Sequence, residues 1–121
     1  QCDLSEATRR HLVDTYGMRA LELAKICADD QSSLRPIIPG RVEIMAQVDF
    51  GVREELAASV SDIFIRRTQI FFRDDDQGLG AVDAVADRMQ GLLGWSDEER
   101  QRSIEDYRAE VALSRKWRDE L

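Results

Sequence analysis

The chain has 121 residues, 24 of them acidic and 17 basic, for a formal charge of −7. With 43% apolar and 34% charged residues it is too apolar for a disordered chain and too charged for a membrane span; no run approaches the ~20 apolar residues that a spanning helix requires. That length suits one domain with a modest core, and a nucleic-acid binder would need a net basic stripe that is missing here.

The opening QCDLSEATRRHL lacks the basic-then-apolar layout of a signal peptide. Ser5 is expected to cap a first helix over SEATRRHLVDTY, and Gly17 to end it in the left-handed region. In the next segment, MRALELAKICA, residues Ala20, Leu23, Ala24 and Cys27 share one helical face. Cys27 therefore reads as a buried thiol and Cys2 as a near-terminal one, with no disulfide framework; a reduced, intracellular protein is expected. DDQSSLRPIIPG follows, rich in turn formers and holding both prolines, and reads as a linker.

Residues 41–56 carry two periods at once. Val42, Ile44, Ala46, Val48, Phe50 and Val52 alternate as in a strand, whereas Ile44, Val48, Val52 and Leu56 recur at four, as in a helix. Helix is preferred, because EELAA continues as a helix former and no second strand-like run offers a partner. Ser59 or Ser61 then caps a helix through SDIFIRRTQIFF, with Val60, Ile63, Phe64, Arg67, Ile70 and Phe71 on one side. DDDQGLG reads as a solvated break. Val82, Val85, Ala86, Met89, Leu92 and Leu93 make the clearest amphipathic stripe, closed by Gly94. Ser96 and Glu99 form a capping box that opens the last helix, with Ile104, Tyr107 and Val111 facing inward; the charged tail from residue 114 is expected to fray. The fold class that follows is all-α, a small orthogonal bundle of about five to six helices in a single domain over 1–121. Within it, 1–34 hold the opening helices, 35–40 the linker, 41–113 the main bundle and 114–121 the tail.

Charge is unevenly spread. Residues 74–99 hold eight of the 24 acids against one of the 17 bases, Arg88, so the rest of the chain balances at sixteen of each. Starting an EF-hand loop at Asp74 puts the glycine at the fifth position and Val85 at the twelfth, so the calcium pattern fails. Gly78-Leu-Gly80 lacks the third glycine and the preceding strand of a dinucleotide fingerprint. His11 is the single histidine and reads as a helix-surface residue; a zinc set, a nucleophile elbow and a P-loop are all missing from the sequence. Arg67 resists a bland reading, because it falls on the apolar face between Phe64 and Phe71. A buried arginine needs a partner, and Asp62 and Glu55 are the candidates. Arg66 and Arg67 are then open to three roles: an internal ion pair that fixes packing, docking onto another domain, or anion binding.

At these residues the sequence resembles a known family. AQVDFGVREELAASVSDIFIRRTQIFF is similar to the C-terminal domain of FAD-dependent glycerol-3-phosphate dehydrogenases and oxidases, with Ala46, Val48, Phe50, Val52, Arg53, Glu55, Ala57, Asp62, Arg66, Arg67 and Thr68 in register. The block AVADRMQGLLGWSDEERQRSIEDYRAEV resembles the closing helices of that domain, and HLVDTYGMRALELA its His-Leu-x-x-x-Tyr-Gly opening. Gln47, Gly51, Glu54 and Gln69 depart from the family's usual Glu, Ala, His and Arg. The resemblance implies a cytoplasmic parent enzyme, open to a peripheral place on the cytoplasmic membrane. That enzyme would oxidise sn-glycerol 3-phosphate to dihydroxyacetone phosphate and pass electrons through FAD to quinone or to oxygen. It implies that FAD and substrate sit in the N-terminal part, so no catalytic, cofactor-binding or metal-ligating residue is assigned to this chain and the isolated fragment is expected to be inactive. Its role would be a helical cap on the FAD domain of the same chain, with Glu55, Asp62, Arg66 and Arg67 in packing or interdomain docking. Phe64, Phe71, Phe72, Trp95 and Trp117 are expected to leave apolar surface for that contact. Two other readings compete: a stand-alone helical interaction module, and a helix-turn-helix DNA binder over residues 43–73 carrying Arg66, Arg67 and Arg73.

Overall fold

The computed structural model describes residues 4–120; Cys2 lies outside the described residues. The chain folds as two compact units, divided between Leu56 and Ala57. Among the described residues all regular structure is helical apart from one isolated β-bridge.

The first unit holds α1 (Glu6–Tyr16), α2 (Ala20–Asp29) and α3 (Ala46–Glu54). Ser5 caps α1 as its sequence predicts: Oγ accepts from the Thr8 backbone N–H at 3.1 Å. Gly17, at φ +58°, ends it. Leu12 of α1, Leu23 and Cys27 of α2, and Ile44, Ala46 and Phe50 at and in α3 form one buried cluster. Tyr16 packs edge-on against Phe50 with ring centroids 5.2 Å apart.

The segment read as a linker is a folded loop inside this unit. Ile38-Pro39-Gly40-Arg41 makes a tight turn: the Arg41 N–H donates to the Ile38 carbonyl at 3.1 Å and Gly40 stands at φ +89°, the pairing of Pro and Gly that a type II turn demands. The turn returns the chain so that Pro36 and Ile44 bridge antiparallel. The Ile37 N–H donates to the Glu43 carbonyl and the Met45 N–H to the Arg35 carbonyl, at 2.9 and 2.8 Å. The helix expected over 41–56 is thus shorter at both ends. Residues 41–45 are not helical, because the fold-back pairs Ile44 with Pro36, and α3 starts only at Ala46. It stops at Glu54, and Leu56 stands at φ +61°.

Departures from the family pattern need not weaken the structure. Gln47 is buried, accepts the Ile44 N–H on Oε1 at 3.0 Å and donates from Nε2 to the Tyr16 hydroxyl at 3.2 Å. Its reach back to Ile44 is half of a capping box, and a glutamate could do the same.

The second unit holds α4 (Ile70–Arg73), α5 (Val82–Leu93) and α6 (Asp97–Glu120). The single helix expected through residues 59–72 is broken. Ser59 caps its start by accepting the Asp62 N–H at 3.1 Å, but Asp62–Arg67 winds as a π-turn. Thr68 ends it: its hydroxyl donates to the Ile63 carbonyl, five residues back, at 2.9 Å. Val60, Ile63, Phe64 and Ile70 are fully buried, so Phe64 belongs to the core and not to the exposed apolar set.

The α5 stripe is buried as its spacing predicts, through Val82, Val85, Ala86 and Met89. Gly94 at φ +71° closes the helix. The Ser96–Glu99 box forms in both directions: the Ser96 N–H reaches Glu99 Oε1 at 2.9 Å, and the Glu99 N–H reaches Ser96 Oγ at 3.1 Å. The Ser96 backbone donor holds the Glu99 carboxyl below the usual glutamate range. The box is therefore complete above that range and is lost as pH falls through the lowered value. α6 runs unbroken to Glu120, so the segment expected to fray is helical.

Candidate functional site

Of the residues singled out for packing or docking, Asp62 and Arg66 come together. Asp62 Oδ1 accepts from Arg66 Nη1 at 3.0 Å, while Oδ2 accepts the Ala58 N–H at 2.9 Å. Asp62 therefore staples the chain into the π-turn, and Arg66 lies along the surface with 62% of its side chain exposed. Arg67 is half-buried, and is not the enclosed arginine that a regular helix would have produced. Glu55 lies in the first unit, half-buried just past α3. An exposed pair of this kind contributes little, so Arg66→Ala is expected to change stability by less than about 0.5 kcal/mol. Arg67→Ala, which also removes a half-buried stem, is expected to lower the melting temperature further. Equal melting temperatures for the two variants count against this assignment.

The helix-turn-helix reading fails on the backbone. Residues 56–58 are non-helical, the π-turn breaks at Thr68–Gln69, and α4 is only four residues long. No recognition helix carries Arg66, Arg67 and Arg73 together.

The acidic stretch turns out to be structural. Asp74 Oδ2 accepts the N–H groups of Asp76 and Gly78 at 3.2 and 2.9 Å, forming an Asx-type turn. Arg100 of α6 reaches Asp87 at 2.7 Å and Asp83 at 3.8 Å on α5. Asp97 accepts from Gln90 at 3.0 Å. The loop expected to be solvated buries Gln77 and Gly78. Gln77 donates from Nε2 to Ser114 Oγ at 3.1 Å and accepts from Arg115 Nε at 2.7 Å. Its carbonyl accepts the Tyr107 hydroxyl. Burial first, and then the Asp74 carboxylate, push the Tyr107 phenol well above its usual range, so it remains a donor. Sequence could not show this network, because its partners lie 30 to 38 positions apart.

Two grooves accompany these features. One, of about 300 Å³, lies between α2 and α3 over Ile26 and Phe50, rimmed by Glu22, Asp29 and Glu54 against Lys25 and Arg53. The other, of about 440 Å³, runs along α6 between Leu79 and the Arg108–Arg115 stretch. The second has Val111 and Ala112 on its floor between Arg108 and Arg115. Gly78 has a packing reason for its missing side chain: a Cβ there would stand 2.7 Å from Ile70 Cγ2 and 3.3 Å from Phe64 Cε2. Its bare Cα serves packing. Among the described residues no group of three or more His, Cys, Asp or Glu side chains is placed to hold a metal. No helix among them is long and apolar enough to cross a membrane.

Residues 1–100 match the family model of the C-terminal domain of alpha-glycerophosphate oxidase. The chain belongs to this family. The first unit and residues 57–100 of the second fall within the match, including the π-turn, the Asp74–Gly78 turn and the Ser96–Glu99 box, while most of α6 lies beyond it. Among relatives, the chain is 33% identical over 104 residues to the probable mitochondrial glycerol-3-phosphate dehydrogenase of Dictyostelium discoideum, covering 86% of this chain and 16% of that one. It is 34% identical over 101 residues to the aerobic glycerol-3-phosphate dehydrogenase of Staphylococcus saprophyticus, covering 81% and 17%. With the glycerol-3-phosphate dehydrogenase of a Synechocystis species it shares 32% over 98 residues, 81% and 18% of the two chains. The chain thus spans less than a fifth of the length of these relatives.

Proposed function

We propose that residues 1–121 act as one C-terminal cap domain of an FAD-dependent glycerol-3-phosphate dehydrogenase. The parent oxidises sn-glycerol 3-phosphate to dihydroxyacetone phosphate and passes the electrons to quinone, or to oxygen in the oxidase branch. It works in the cytoplasm, with a peripheral place on the membrane in the quinone-linked form. The observation that carries this reading is the match of residues 1–100 to a C-terminal domain, in relatives of which this chain spans 16–18%.

FAD, held by the N-terminal part of the parent, supplies hydride acceptance, and no step of that chemistry is routed through residues of this chain. What the chain contributes is a pre-shaped surface. Asp62 fixes the π-turn so that Arg66 is presented outward, and Arg67 and Glu55, both half-buried, hold packing each within its own unit or meet the FAD domain. Large apolar side chains remain exposed for that contact, among them Phe72, Leu113 and Trp117.

The test is direct binding. Titrating the isolated chain into FAD is expected to leave flavin fluorescence unchanged, and a flavin-coloured preparation of the chain alone overturns the assignment.

A further inference from the structure

Leu56 occupies a position that local physics reserves for glycine. It follows α3 and its cap residue Glu55, at φ +61°, where a Cβ crowds the backbone and where helices ordinarily place Gly. Its side chain is also 87% exposed, so no contact within the chain compensates the backbone. Glycine would remove both penalties. A leucine kept in such a place is expected to gain its contact elsewhere.

Leu56 is not isolated. Arg19, at the start of α2, reaches Glu54, at the end of α3, at 3.1 Å, and holds Glu22 at 2.7 Å. The Arg19 guanidinium also lies over the Phe50 ring, 4.7 Å from its centroid. The bridge joins the two helix ends, so the residues that flank it, Met18 and Leu21 on one side and Leu56 on the other, belong to one end of the first unit. Met18 is 88% exposed and Leu21 75%. Three large exposed apolar residues therefore lie within two positions of the residues of an ion pair that links two helix ends, the composition of an apolar anchor set beside a polar contact.

We propose that this end of the first unit, with Leu56 as its anchor, is one surface by which the domain docks onto the rest of its own parent polypeptide, in addition to the exposed apolar residues of the second unit. The proposal rests on the cap reading above. It commits to the parent because more than four-fifths of the relatives' length lies outside this chain, which gives the face a partner at permanently high effective concentration.

The experiment uses the full-length parent enzyme with its flavin. If Leu56 were only a strained helix end, Leu56→Gly would raise the melting temperature. Docking predicts the opposite sign: Leu56→Gly lowers it by several degrees, and Leu56→Met restores it. In parallel, Leu56→Cys, followed by peptide mapping, is expected to react with a maleimide at least about tenfold more slowly in the native enzyme than in urea. A raised melting temperature for Leu56→Gly, or labelling at the unfolded rate, overturns the proposal while flavin content and activity leave the cap reading standing. Protection that fades on dilution assigns the face to a second copy and also overturns it. A full-length protein without flavin or activity defeats the cap reading instead, and the labelling rate then still decides the anchor.

Discussion

Gly78→Ala is expected to destabilise the chain by about 2–4 kcal/mol, because an added methyl meets a backbone penalty and a packed core together. Gly78 stands at φ +78°, and its Cβ would lie 2.7 Å from Ile70 Cγ2. Ile70 and Phe64 are fully buried, and Phe64 is in turn fixed edge-on against Tyr107 at 4.9 Å, so neither neighbour can swing aside cheaply. The preceding residue is committed as well: Gln77, at φ +55°, gives its carbonyl to Tyr107 and its side chain to Ser114 and Arg115. Shifting the loop to accommodate a methyl would disturb all of these. Gly80 is the control, since nothing lies within 4 Å of a Cβ there and Gly80→Ala should stay within about 0.5 kcal/mol. Urea denaturation of the two variants measures the difference. Equal midpoints would show that the Asp74–Gly80 loop is not the packed turn described.

Arg41→Ala should cost about 2–4 kcal/mol, for a different reason: it strands a carboxylate. Glu43 is 2% exposed and Arg41 23%, with Nε and Nη2 of the arginine donating to the two carboxylate oxygens at 3.0 and 3.1 Å. That fork-on-fork geometry follows from the backbone. Residues two apart in an extended segment point the same way, and the Pro39–Gly40 turn places Arg41 at the head of that segment. Removing the guanidinium leaves Glu43 facing apolar surroundings, whereas removing both charges does not. The double variant Arg41→Leu/Glu43→Leu is therefore expected to recover most of the loss. A double variant no better than Arg41→Ala would mean that the pair does more than neutralise a buried charge.

These two sites also mark where the sequence stops speaking. Signals carried within a few residues were readable: the Ser5 cap, the Gly17 and Gly94 helix ends, the Ser96–Glu99 box, and the period of three and four from Val82 to Leu93. Each depends on atoms a turn or two apart. The residues around Ile44 carried both a strand and a helix period, and the structure uses the helix only from Ala46, with Ile44 bridged to Pro36 before it. Only the fold-back at Pro39–Gly40 explains the switch. The π-turn had a local cause, the Thr68 hydroxyl on the Ile63 carbonyl, but a threonine five residues after an isoleucine is too common to be a signal. Arg67, which a regular helix would put on the apolar face, is half-buried at the end of that turn. Asp75 and Asp76 are exposed, as a solvated loop demands, yet Asp74 caps a turn and Asp83, Asp87 and Asp97 bridge α5 and α6. Their partners lie elsewhere in the sequence. Of the four residues named for packing or docking, Asp62 was a candidate partner for Arg67; the structure pairs it with Arg66, since i and i+4 remain neighbours through this turn.

The family gives these features a purpose. Short caps, an Asx turn and inter-helix ion pairs make a small domain firm without a large core, and a firm surface is what a docking domain must offer. The exposed leucine at φ +61° is the point where stability of the chain alone and use within a larger protein pull in opposite directions.

The central claim is tested most directly by assaying glycerol-3-phosphate-dependent dye reduction in the full-length parent and in this chain alone, side by side with added FAD. The account predicts activity and bound flavin in the full-length protein and neither in the isolated chain. Activity from the chain by itself, or a full-length protein that neither binds FAD nor oxidises glycerol 3-phosphate, would contradict it.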